Sequence, residues 1–314
     1  MLVAHCKLMT DNCRLSSLSL LIMYYIVYGL LYAISLLPLR ILYLLSDITY
    51  FFIYYVFGYR KKVVMENLAR AFPEKTAGER IRIAKKFYKN FTDNFIEAIK
   101  LISASPAFID KHFTGDYSLC HKVFEEGKKC QLLLAHNFNW ELACLAAVRQ
   151  IKHLCLVVYM PIGSKIVNRI FMKVRSKTGA VLLPATDMRN AIIPYRKEVY
   201  MLVLVADQNP GHPKNANWFN FFGKPTPFVK GPESGARRGN TPVIFCKFIK
   251  EKRGYYKIYF EMGEENPASL PEGALTKKYV AYLSDFMCEY PEMWLWSHRR
   301  WKWDWKPEYG EVIN

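Results

Sequence analysis

The sequence predicts an α/β fold, a mostly parallel sheet wrapped by helices, carried on an N-terminal membrane-anchoring helix. Three observations predict it. Residues 15–39 contain no charged side chain, while Arg14 and Arg40 flank them. From residue 131 onward, short apolar runs alternate with stretches of helical periodicity, the pattern of βα units. One of those runs, 132–135, ends on His136, and Glu141 follows where Trp140 to Leu145 reads as a helix start. Ligands and chemistry in open α/β sheets collect beyond the carboxyl ends of the strands, so a functional histidine belongs there.

The apolar stretch 15–39 is 25 residues long, enough to span about 30 Å of hydrocarbon. No small-residue cleavage site follows before Pro38, which favours an anchor over a cleaved signal peptide. Residues 1–14 are polar and irregular, and Met23 before Tyr24 and Tyr25 offers an alternative start from which a fully active protein is expected. A second apolar stretch, 41–59, carries only Asp47 as a charge and holds eight aromatic rings from Tyr43 to Tyr59. It is expected to lie in the interface or pack on the following domain rather than to span. Arg60, Lys61 and Lys62 come next, and the positive-inside tendency places them on the cytoplasmic face. The expected organisation is therefore an anchor and interfacial segment, 1–59, and a cytoplasmic domain, 60–314.

With 314 residues the chain can bury a full core, and its formal charge of +17 calls for an acidic partner: nucleic acid, anionic lipid or an acidic carrier protein. The 21 Tyr, 20 Phe and 7 Trp suit the interface of a bilayer. The eight cysteines, at 6, 13, 120, 130, 144, 155, 246 and 288, show no paired spacing and read as reduced thiols facing a cytosol. Neither H-E-x-x-H nor a Cys pair is present, so no metal and no cofactor are expected.

Strands are expected at 132–135, 154–159, 181–183, 200–206, 242–248 and 255–260, with helices at 141–150, 164–177 and 187–197 between several of them. Residues 78–102 place Phe87, Phe91, Phe95 and Ile99 at four-residue spacing, an amphipathic helix whose aromatic stripe packs. The segment 292–306 is a dense cluster of Trp and Arg around His298, expected to serve packing or the membrane interface.

His136 and Glu141 admit two readings. In one, the histidine caps a strand and the glutamate is an ordinary first-turn acid. In the other they form a dyad in which Glu141 holds one ring nitrogen and the free nitrogen takes a proton from a hydroxyl. Arg175, near Lys173 and Lys177, is either a solvated charge or a planar fork for phosphate or an oxyanion. Asp207 and Gln208 end the run 200–206 as His136 ends its own, so both can face the same crevice, as hydrogen-bonding or substrate-contacting groups.

Five blocks in order resemble the late acyltransferases of lipid A biosynthesis, a bacterial branch of the lysophospholipid acyltransferase superfamily. They are Tyr59 to Leu68 with Ala71-Phe72-Pro73-Glu74; His136-Asn137-Phe138-Asn139-Trp140-Glu141, which resembles the family's H-x4-D/E box; Arg175 with Gly179; Asp207-Gln208 with Phe221-Phe222-Gly223; and Trp294 to Trp301. The departure is Asn-Phe-Asn-Trp where a glycine often precedes the Asn-Trp. The resemblance implies a glycerolphosphate-acyltransferase-like domain on the inner membrane of a Gram-negative bacterium, facing the cytoplasm. It implies transfer of a fatty acyl group from acyl carrier protein to a hydroxyl of a lipid A precursor, with His136 as general base and Glu141 as its orienting partner. Acyl carrier protein, the lipid A precursor and anionic inner-membrane lipids are then the partners, and no nucleic acid is expected. A lysophospholipid or aminolipid acceptor is the nearest rival. A membrane-tethered nucleic-acid-binding protein rests on charge alone, and a lipid hydrolase lacks the G-x-S-x-G elbow.

Overall fold

The computed structural model describes the backbone of residues 2–313 and the side chains of 19–313. In chain order the elements are α1 (Leu2–Leu36), α2 (Leu39–Phe51), a π-helical turn (Phe52–Val56), α3 (Lys61–Ala71), α4 (Ala77–Lys100), α5 (Pro106–His112), β1 (Phe113–Gly115), α6 (Ser118–Glu125), β2 (Cys130–Leu134), α7 (Trp140–Gln150), β3 (Leu154–Tyr159) and α8 (Lys165–Arg175). There follow β4 (Val181–Pro184), α9 (Met188–Ala191), β5 (Tyr200–Val205), β6 (Ala216–Phe221), β7 (Lys224–Val229), α10 (Gly231–Gly239), β8 (Val243–Lys252), β9 (Tyr255–Glu264), α11 (Ala274–Glu289) and β10 (Val312–Ile313).

Seven strands form one sheet in the order β1-β9-β8-β2-β5-β3-β4. Every neighbouring pair is parallel except β8 with β9, a hairpin turned at Gly254, where φ is +79°. β2 sits at the centre between β5 and β8 and is buried at all five residues. Burial on both faces explains why its sequence is a continuous run instead of an alternation. All six expected strands are present, and α7 and α8 lie close to their expected limits. The expected helix 187–197 is only α9 followed by a 3-10 turn, Ile193–Tyr195, because Pro194 withdraws a backbone donor there. A smaller sheet, β10-β6-β7, was not anticipated. Its hairpin turns on Phe222 and Gly223, both at positive φ (51° and 71°), as two-residue hairpin loops require.

Two helices, Ser19–Leu36 and Leu39–Val56, are long and apolar enough to cross a membrane by length and composition. The second also docks. Its Leu42, Ser46, Tyr50 and Tyr54 recur every four residues and are buried, while Ile41, Leu44, Ile48, Phe51, Tyr55 and Phe57 are exposed. Asp47 receives two hydrogen bonds from Arg253 (3.0 and 2.7 Å), whose fork also reaches Asp93 of α4. α4 opens with a capping box, in which Thr76 accepts from the Glu79 N–H at 3.3 Å and Glu79 from the Thr76 N–H at 2.8 Å, worth about 1 kcal/mol. Its aromatic stripe departs from expectation: Phe87 and Phe91 are buried but Phe95 is 47 % exposed, since a strict four-residue step drifts around a 3.6-residue helix. The face that α4 buries farther along is polar instead: Asn90, Asp93, Asn94 and Glu97. Cys120, Cys130, Cys144, Cys155, Cys246 and Cys288 are free thiols, and Cys6 and Cys13 lie outside the described side chains.

Candidate active site

β2 and β5 are parallel neighbours with Leu134 opposite Val205, and the Ala206 N–H donates to the Leu134 carbonyl at 3.2 Å. His136 and Asp207, two residues past those ends, therefore leave the sheet at one level. His136 Nδ1 donates to Asp207 Oδ1 at 2.6 Å, and the His136 backbone N–H donates to Oδ2 at 3.1 Å. A carboxylate only accepts, so Nδ1 carries the hydrogen and Nε2 keeps its lone pair. The imidazole is 26 % exposed while Asp207 is fully buried beneath it. The Trp294 indole donates to the same Oδ2 at 2.7 Å. Burial pushes the Asp207 carboxyl up, but the charge and hydrogen bonds of His136 and the Trp294 indole hold it below its ordinary value. Of the two roles expected for it, hydrogen-bonding or substrate-contacting, buried Asp207 takes the first, toward His136.

Glu141 is placed differently from expectation. The ring nitrogen it was expected to hold belongs to Asp207. Its oxygens instead accept from Arg175 Nε (2.9 Å) and Nη2 (2.5 Å) and from the Trp140 indole (3.0 Å). The reason is topological: Asn139 caps α7, its Oδ1 accepting from the Leu142 N–H at 3.2 Å, and the first turn then directs Glu141 toward α8, while β5 delivers a carboxylate to the imidazole. Arg175 is accordingly neither solvated nor free. Burial draws its guanidinium down and the Glu141 hydrogen bonds and charge raise it above its ordinary value.

Gln208 is half-buried at the same strand end. Beyond it the C-terminal tryptophan block folds over the site. Asn137 bridges Trp294, and the Phe138 N–H donates to the Met293 carbonyl at 3.2 Å. Asn67 of α3 donates to the carbonyls of Trp296 and His298, 2.8 Å each, which ties the first signature block to the last. The backbone N–H of Asn209 donates to His298 Nε2 (3.4 Å), so Nδ1 of that ring carries the hydrogen; burial first, against the opposing pull of Asp207, lowers His298 to about 4. Arg300, fully buried, donates to Asn209 Oδ1 (3.0 Å) and the Pro227 carbonyl (2.9 Å), and burial draws it down to about 10. Sequence reading treated this block as packing and missed the Trp294 donor; the only sequence signal was the block's place in the family order. Among the described residues no group of three or more His, Cys, Asp or Glu side chains is placed to hold a metal ion.

A histidine held through Nδ1 by a buried carboxylate, with Nε2 left to accept at the carboxyl end of a parallel sheet, is an arrangement able to take a proton from a hydroxyl on an α/β fold. The match to known families narrows the class: residues 12–303 fit bacterial lipid A biosynthesis acyltransferase, so the chain belongs to that family and is an acyltransferase. No curated protein matches it.

Proposed function

We propose that the protein transfers a fatty acyl group from the thioester of acyl carrier protein to a hydroxyl of a lipid A precursor. The His136–Asp207 pair carries this reading. The acceptor hydroxyl attacks the thioester carbonyl while His136 Nε2 takes its proton, and Asp207 stabilises the imidazolium that forms. Collapse of the tetrahedral intermediate breaks the C–S bond, and the imidazolium returns the proton to the departing thiolate. The ester and the free carrier thiol are the products. No acyl-enzyme is needed.

Glu141 acts by holding the Arg175 guanidinium at the start of α7, where a fixed cation suits a substrate phosphate or the oxyanion, and Gln208 follows Asp207 at the neighbouring strand end. The domain is read as glycerolphosphate-acyltransferase-like. The exposed apolar faces of α1 and α2, with Arg60, Lys61 and Lys62 immediately after, support attachment to a bilayer with the domain on the cytoplasmic side. Anionic lipids at that surface attract each nearby basic side chain by about 1 kcal/mol.

Mass spectrometry of lipid A from cells with and without the gene tests the reading. A shift by the mass of one acyl chain is expected. A changed phospholipid or aminolipid profile with unchanged lipid A would overturn the acceptor, and unchanged lipids altogether would overturn the activity.

A further inference from the structure

Glu97 is a carboxylate inside the protein that the mechanism above does not use. It lies on α4, 5 % exposed, and burial raises its pKa. Removing a carboxylate from water costs several kcal/mol even after relaxation, so its surroundings must offset that cost. They do so with three donors from three different elements. The Tyr43 hydroxyl of α2 donates to Oε1 at 2.8 Å, and the Tyr256 hydroxyl of β9 and the Asn139 Nδ2 each donate to Oε2 at 2.7 Å.

Asn139 is the informative partner. It stands in the loop between His136 and α7, fully buried, and its other end caps α7. A side-chain amide has one donating and one accepting end, and the two are nearly identical in shape. Glu97 accepts only, so it compels Nδ2 to face α4 and Oδ1 to face the Leu142 N–H. Phe138 beside it packs between Phe87 and Phe91, ring centroids 5.7 and 6.4 Å away, so the whole loop rests on α4. At one end this loop carries His136, and at the other it starts the turn that aims Glu141 at Arg175.

We propose that Glu97 is a positioning residue for acyl transfer: by fixing the amide of Asn139 it sets the loop that places His136 and the first turn of α7. The proposal rests on the reading of His136 as the general base. Tyr43 and Tyr256 hold the carboxylate itself, so α2 is joined to the loop through a single buried group.

The test uses the full chain in detergent micelles, with an acyl carrier protein thioester and a lipid A precursor as substrates. Glu97→Met removes the acceptor of Asn139 Nδ2 at similar length, whereas a Gln oxygen at the Oε2 position would still accept from both Asn139 and Tyr256. The kcat of Glu97→Met should fall about tenfold or more, since small misplacements near reacting atoms have effects of this size. KM for the thioester should stay within about twofold, because the substrate surface is untouched. Asn139→Asp should lose activity as well, by setting two carboxylates face to face. The double variant Glu97→Gln/Asn139→Asp reverses donor and acceptor, keeps the charge and shape, and retains an N-cap oxygen; it should recover most of the kcat that Asn139→Asp loses. Should Glu97→Met fail to accumulate, the comparison of Asn139→Asp with the double variant still decides. No recovery in a double variant that melts like wild type would overturn the proposal, as would wild-type kcat in Glu97→Met. His136→Ala separates the two levels. If it is inactive and Glu97→Met is not impaired, only the positioning role falls; if His136→Ala is itself active, the reading of the site falls first.

Discussion

Asp207→Asn tests the tautomer logic of the site. Three donors converge on the carboxylate: the His136 N–H at 3.1 Å and the Trp294 indole at 2.7 Å on Oδ2, and His136 Nδ1 at 2.6 Å on Oδ1. An amide has one accepting oxygen, and setting it at the Oδ2 position satisfies two donors rather than one. The new NH2 then faces Nδ1, which must accept, and the ring hydrogen moves to Nε2, the nitrogen required to take the hydroxyl proton. The corresponding change in a serine-protease triad lowers kcat about 10⁴-fold for the same reason. An effect of about 10³ to 10⁴ is expected here, or about 4–5.5 kcal/mol of barrier. The assay is steady-state transfer of a labelled acyl group to the lipid A precursor, with ¹⁵N shifts of His136 reporting which nitrogen is protonated. An Asp207→Asn enzyme within tenfold of wild type would refute the reasoning, the more so if Glu141→Gln lost a thousandfold.

The remaining expectations concern stability, pH and the anchor. Glu141→Ala leaves the buried Arg175 guanidinium without its carboxylate and should cost about 3–5 kcal/mol, visible as a melting temperature lower by on the order of 10 °C. His298, at about 4 when folded against 6.5 ordinarily, binds a proton more readily unfolded; stability should therefore fall as pH drops from about 6.5 toward 4, at up to about 1.4 kcal/mol per pH unit, and His298→Asn should flatten that slope in acid melts. Arg253→Met removes the fork that ties Asp47 to Asp93, and limited proteolysis should then cut faster between α2 and α3. A chain begun at Met23 keeps Tyr24 and Tyr28, whose rings lie 4.1 Å from Arg169 and Lys173, and should be fully active; an inactive product would show that the leader is required.

Much of the site could be read from one dimension because its information is local. A buried parallel strand needs a continuous apolar run, and its end is marked by the first polar residues, so His136 and Asp207 were both found as strand-terminating groups. The helix starts at Trp140 and Ser164 were legible from caps and periodicity. What the sequence could not supply was adjacency between strands. His136 and Glu141 are five residues apart and looked like partners, whereas His136 and Asp207 are seventy-one apart and meet because β2 and β5 pair in register.

The same limit hid the hydrogen bonds of Glu97 to Asn139, of Trp294 to Asp207 and of His298 to Asn209, which link α4 and the C-terminal block to the loops that follow β2 and β5. By itself the sequence determined the mixed α/β class, the apolar segments and the family, and it singled out His136 as the proposed base, all from periodicity and short motifs. Tertiary structure alone decided which carboxylate His136 meets, which cation the other carboxylate holds, and which face of α2 docks. Each of these depends on distances between segments far apart in the chain, and those are set by sheet order and packing instead of by local pattern.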